Sequence, residues 1–248
     1  MTIHLFFQLL VYLGYLYIGG AFMLLLYFLF GSFMASVLMC FFDHREDIRY
    51  FLFGRSKCDY CNSTLAWYNL IPIFSFLISR GRCTHCNTKL SARYIMIEFF
   101  IGLVCMIFLP KVISHDPNFI FPFLVITIMM ISDLTDYFVS DALQIILLIS
   151  FVYYLLFTNH PYYFISSIIL FLTFFGCNLL LPNSIGGADL KFVFIVGLLL
   201  EPMQLPYFIF IAALSGLIIL IVTKIHPLPF IPFLSVSFLL LYVQFFTP

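Results

Sequence analysis

FIFPFLVITIMMISDLTDYFVSDALQIILLISFVYYLLF, residues 119–157, decides the fold. Two apolar runs, 119–136 and 141–157, meet at a short segment that carries Asp133, Asp136 and Asp141. Each run is close to the roughly 20 residues needed to cross about 30 Å of hydrocarbon. A water-soluble helix of that length would present a polar face, and neither run has one. The solvent for these helices is lipid, and the acidic residues mark the point where the chain reaches a membrane face.

The same signature recurs outward in both directions, at 18–42, 94–112, 161–181, 190–205, 207–223 and 227–246. The pattern therefore predicts an all-α, polytopic membrane helix bundle of about eight spans. Composition agrees: 64% of the 248 residues are hydrophobic and 9% charged, against roughly 45–50% and 25% in a soluble domain. Residues 3–17 extend the first apolar run too far for one crossing and are expected to be interfacial or tilted. The amino-terminal stretch lacks a basic start and is too long for a cleavable signal, so it is expected to stay as an anchor. No internal repeat is evident. Three parts result: residues 1–42, a first span with its extension; 43–93, a polar loop; and 94–248, the main bundle.

The zero net charge hides an asymmetry, because Arg45, Arg49, Arg55, Lys57, Arg80, Arg82, Lys89 and Arg93 all lie in or at the edge of that loop. Basic loops stay on the cytoplasmic side. Alternating from there puts 133–141 and 182–190 on the same face, and Asp116 and Glu201 on the other, with Lys111 alone against the rule. The basic residues can also meet anionic lipid headgroups.

Four of the seven cysteines lie in the loop, as Cys58-x-x-Cys61 and Cys83-x-x-Cys86, separated by 21 residues. Two such knuckles suit a tetrahedral zinc ion with no open position for water, a structural site that would stabilise a loop too poor in apolar residues to fold alone. Two disulfides or four free thiols are the alternatives, and a reducing compartment disfavours the first. Cys40, Cys105 and Cys177 stand singly in apolar stretches and read as packing residues. His85, inside the second knuckle, reads as a solvated neighbour.

Ionisable residues inside spans are functional hypotheses by default. Asp133 ends one span, and Asp189 closes Gly186-Gly187-Ala188-Asp189 at the start of another. Two carboxylates from different helices can hydrolyse an amide, one taking a proton from water while the other polarises the carbonyl. Gly186 and Gly187 would admit a substrate backbone and tolerate strained dihedrals. The plainer reading of Asp136 and Asp141 is that they cap helix N-termini.

Taken in order, Gly31-Ser32-Phe33, Arg55-Ser56-x-Cys58-x-x-Cys61, Leu65-x-Trp67-x-Asn69-x-x-Pro72-x-x-Ser75, Arg80-Gly81-Arg82-Cys83-x-x-Cys86 and Arg93-Tyr94-x-x-x-Glu98 resemble the motifs of the type IV prepilin peptidase family. The resemblance maps the family's catalytic aspartates onto Asp133 and Asp189, with Asp141 and Lys191 matching further positions of the pattern. It departs at Ser140 and Ile95, where proline is usual, and at Ala188, where glycine is. It implies a membrane aspartic endopeptidase of the bacterial plasma membrane, cleaving the leader of prepilin or pseudopilin precursors after a glycine at the cytoplasmic face. The precursors would serve a type IV pilus, protein secretion or DNA uptake in competence, and no nucleic acid partner is implied.

The resemblance also implies N-methylation of the new amino terminus from S-adenosylmethionine, with Gly81 and Arg82 as candidates for that chemistry; a turn and a lipid-facing cation are the alternative for these two. Two other classes compete. A proton-coupled transporter would explain the aspartates but not the cysteines, and a noncatalytic zinc-ribbon scaffold the reverse.

Overall fold

A computed structural model describes the chain except residues 1, 46, 48, 50, 52–53, 55–57, 59, 62, 65–72, 74–78, 90, 159, 182–184, 225–226 and 247–248, and the side chains of 2–19 and 245–246. Arg55, Ser56, Lys57, Leu65, Trp67, Asn69, Pro72, Ser75 and His226 fall outside the described residues. The described chain is almost wholly helical: α1 (Thr2–Asp43), α2 (Ala92–His115), a short 3-10 turn (Pro117–Phe119), α3 (Ile120–Asp136), α4 (Asp141–Thr158), α5 (Phe164–Leu180), α6 (Gly187–Gly197), α7 (Leu205–Thr223) and α8 (Ile231–Phe246).

Five of these are long and apolar enough to cross a membrane: residues 20–43 of α1, α2, α3 with its preceding 3-10 turn, α4 and α7. Helices α5 and α8 are apolar but shorter. The correction concerns the run 190–205, expected to be a span. Its helix has eleven residues, about 16 Å at 1.5 Å per residue, roughly half of the hydrocarbon thickness. The run is apolar because α6 and the turn after it are buried in protein, as at Phe192, Val196, Leu199 and Leu200. Hydropathy does not distinguish a protein interior from lipid. Helix α1 runs on through Gly19-Gly20 as one 42-residue helix.

The chain divides into two compact units. The first comprises residues 1–37 and 52–110. Here small residues let α1 and α2 approach closely. A Cβ on Gly31 would stand 2.7 Å from the Cβ of Cys105, and one on Gly102 2.5 Å from the Ser32 hydroxyl. Ser32 donates to the Glu98 backbone carbonyl at 3.1 Å, and the Glu98 carboxylate accepts the Ile73 amide at 2.8 Å. The two ends of the motif series, Gly31-Ser32 and Glu98, thus act in helix packing and in anchoring the loop.

The second unit comprises residues 38–51 and 111–248. Within it α6 packs against α4, α5 and α8, while α3 packs on α4 and α8. Its interior is aromatic: Phe119 stacks on Tyr242 with ring centres 4.0 Å apart and meets Tyr154 edge-on. Hydroxyls of Tyr154 and Tyr242 both donate to the Asp116 carboxylate, beside which His160 lies 3.9 Å away. This polar knot escaped the sequence reading, because its members are spread over 127 residues of chain.

Candidate functional site

In the second unit a cavity of about 850 Å³ is lined by Asp133, Asp141, Gly186, Gly187, Asp189 and Lys191 on its polar side. Phe174, Ile209, Ala213, Phe230 and Leu234 form an apolar wall. Both aspartates singled out from the sequence therefore reach one space.

Asp133 stands in the last turn of α3 and is 8% exposed. Its Oδ2 accepts a 3.0 Å hydrogen bond from the backbone amide of Ile231, the first residue of α8. A helix start leaves amides without partners and carries partial positive charge, so a carboxylate is well placed there. Asp189 is the third residue of α6, in its first turn, where the partial positive charge of a helix start favours a carboxylate. The Asp133 carboxylate is thus oriented by a backbone amide while keeping capacity for a further donor.

The glycines serve differently from the expectation. Gly186 has φ −65° and ψ 142°, open to any residue, so strained dihedrals do not explain it. Space does: a Cβ there would lie 3.0 Å from Asp189 Oδ2, whereas one on Gly187 would meet nothing within 4 Å. Ala188, the departure from the family pattern, fits and offers its carbonyl to the Gln144 side chain at 3.1 Å.

Asp141 is the first residue of α4 and pairs with Lys191 beside the cavity, while the capping contact there belongs to Ser140, whose hydroxyl accepts the Leu143 amide at 3.5 Å. Asp136 does not cap an N-terminus. It ends α3, where the helix dipole disfavours an acid, and it is paired with Arg45 at 3.4 Å.

In the first unit the four loop cysteines come together, their sulfurs all within 4.8 Å of one another. Cys58 and Cys86 are 3.8 Å apart, Cys61 and Cys83 4.0 Å. A zinc ion with Zn–S bonds of about 2.3 Å in a tetrahedron has sulfurs about 3.8 Å apart, so the donor set fits. All four are free thiols, which removes the disulfide alternative. The knuckles repeat one another: the Cys58 amide donates to the Ser63 carbonyl and the Cys83 amide to the Thr88 carbonyl. Ser63 and Thr88 hydroxyls meet the Cys61 and Cys86 sulfurs at 3.0 and 3.1 Å. The likeness of Cys-x-x-Cys-Asn-Ser and Cys-x-x-Cys-Asn-Thr in the sequence underlies the likeness of the two knuckles.

Those hydrogen bonds hold the thiols of Cys61 and Cys86 below their ordinary range, and backbone amides of Cys86 and His85 do the same for Cys83. At Cys58 the amides of Cys61 and Tyr60 are outweighed by burial and by the neighbouring thiols, and the value rises to about 11. Gly81 is buried at φ 66°, a left-handed turn suited to glycine, while Arg82 is exposed and pairs its backbone with Lys89.

The bacterial Peptidase A24 N-terminal domain model matches residues 25–112, and the type IV leader peptidase family model matches residues 119–221. The chain belongs to the type IV leader peptidase family. The first match contains the four cysteines, and the second contains Asp133 and Asp189. Membership supports prepilin peptidase activity and implies prepilin substrates. No curated protein and no solved structure gave a significant match to the chain.

Proposed function

We propose that Asp133 and Asp189 form the catalytic pair of a membrane aspartic endopeptidase that cleaves the leader of a type IV prepilin-like precursor after a glycine. The observation that carries the reading is one cavity that holds both carboxylates, one oriented by a backbone amide and the other in the first turn of a helix, against an apolar wall. Two acids this near share a proton, so one is ionised while the other is protonated. The ionised carboxylate takes a proton from water as its oxygen attacks the scissile carbonyl, and the protonated one donates a hydrogen bond to that carbonyl oxygen. Collapse of the tetrahedral intermediate breaks the C–N bond, and the proton goes to the departing amine. The apolar wall suits the hydrophobic helix that follows the leader, and Asp141 and Lys191 mark the mouth where polar chain would enter.

The basic loop supports a multi-pass protein of the bacterial plasma membrane with that loop in the cytoplasm. Zinc at Cys58, Cys61, Cys83 and Cys86 would hold the loop's shape and supply no reaction chemistry. N-methylation from S-adenosylmethionine, with Gly81 and Arg82 as candidates, rests on the family resemblance alone. The deciding experiment is cleavage of a pilin-like precursor by the intact chain, Asp133→Asn and Asp189→Asn, each checked for folding. Cleavage by the intact chain and by neither folded variant is expected; cleavage by both variants would exclude the pair.

A further inference from the structure

Gln144 lies on α4, three residues beyond Asp141, and is 3% exposed. Its Nε2 donates to the backbone carbonyl of Ala188, the residue before Asp189, at 3.1 Å. Its Oε1 is enclosed and has no hydrogen-bond partner among the described residues. An unpaired buried polar atom is destabilising, and a methionine would fill the same space in this apolar helix without that cost. Packing therefore does not account for the glutamine, whereas its one satisfied bond does. That bond ties α4 to the opening turn of α6, which carries Asp189. The second tie between these turns, Asp141 to Lys191, is exposed, with side chains 76% and 48% accessible, and water weakens such pairs.

We infer that Gln144 is a positioning residue: through the Ala188 carbonyl it sets the turn that carries Asp189, and so the placement of that carboxylate relative to Asp133. This rests on the reading of Asp133 and Asp189 as the reacting pair. A displacement of 1 Å at such a centre lowers rates by about 100-fold, so a buried bond to the adjacent residue has leverage that an exposed ion pair lacks. The charged groups that line the cavity beside this segment are Asp133 on α3, Asp141 on α4, and Asp189 and Lys191 on α6.

The test compares intact chain, Gln144→Met, Gln144→Glu and Asp189→Asn in detergent on one pilin-like precursor, with thermal unfolding and gel filtration of each. Gln144→Met should unfold no earlier than the intact chain, yet lose about tenfold or more in kcat with KM within about twofold. In Gln144→Glu a protonated carboxyl can donate to the Ala188 carbonyl and an ionised one cannot. Its rate relative to the intact chain should therefore fall as pH rises, while the Gln144→Met ratio stays flat. A folded Gln144→Met with intact kcat, or a Gln144→Glu ratio independent of pH, overturns the inference. If Gln144→Met does not fold, the Gln144→Glu pH profile decides alone. Cleavage by Asp189→Asn would instead strike the underlying pair, a result separable from any behaviour at position 144.

Discussion

The carboxylate of Asp133 accepts the backbone amide of Ile231, 98 residues further along the chain, at 3.0 Å inside the protein. One side chain therefore serves both as a candidate reacting group and as the cap of α8. The two roles separate by substitution. Asparagine keeps an acceptor oxygen for the Ile231 amide but cannot ionise, so Asp133→Asn should fold and unfold like the intact chain while cleavage is lost. Alanine leaves the amide without a partner, and Asp133→Ala should lose about 1 kcal/mol of stability as well. Thermal unfolding in detergent, beside the cleavage assay, distinguishes them.

The cysteine cluster makes a prediction whose sign follows from the thiols. Metal binding requires thiolates, and Cys61, Cys83 and Cys86 are held below their ordinary range. Cys58 is instead raised to about 11, so zinc must displace at least that proton, and acidification, which protonates all four sulfurs, should release the metal. Removal of zinc by a chelator should expose the chain at Arg80, Arg82 and Lys89 to trypsin while cleavage of a precursor survives in part. Zinc content by mass spectrometry and the tryptic pattern check this. Unchanged proteolysis after metal loss would contradict a structural role.

Where α1 meets α2, Gly31→Ala would set a Cβ 2.8 Å from the Ile101 carbonyl and 2.7 Å from the Cys105 side chain. Backbone gives way poorly, and overpacking of this kind costs about 1–3 kcal/mol. The expected result is a clear fall in the unfolding temperature. Gly20→Ala, with nothing within 4 Å, is the control and should be neutral or slightly stabilising.

Much of this was legible in the residues, for identifiable reasons. Long apolar runs report spans because lipid demands them. The Cys-x-x-Cys pairs report a metal site because coordination geometry limits the spacing, and Asp133 stands out because charge in a span is rare. The eleven-residue α6 was not legible, since Phe192 and Val196 are as apolar against protein as against lipid. Neither was the use of Ile231, whose contribution is a backbone amide and carries no side-chain signal. Gln144 was passed over because a single amide in an apolar run looks like noise until Ala188 is found opposite it.

Arg45 and Asp136 give a modest expectation. Their ion pair, 3.4 Å long with the arginine side chain 56% exposed, belongs to a class worth about 0–1 kcal/mol. Arg45→Ala should leave cleavage and unfolding within about that margin, less still at high salt. A large loss of activity would show that Arg45 does more than neutralise the end of α3.

The contrast between Gly186 and Gly187 gives the sharpest local test. Neither has a positive φ among the described residues, so alanine is tolerated by the backbone at both, and any difference must come from contacts. At position 186 the new methyl would lie 3.0 Å from Asp189 Oδ2, closer than carbon and oxygen normally approach, so the carboxylate must shift by a few tenths of an ångström. At position 187 the methyl meets open space, and alanine is a better helix former than glycine by up to about 1 kcal/mol. Gly186→Ala should therefore reduce kcat by about tenfold with an unchanged unfolding temperature, because small misplacements of a reacting group are costly. Gly187→Ala should unfold at the same temperature or higher and lose activity only where substrate needs that space, which a rise in KM would report. Equal effects of the two substitutions on kcat would mean that the loop as a whole, and not the seat of the Asp189 carboxylate, limits the reaction.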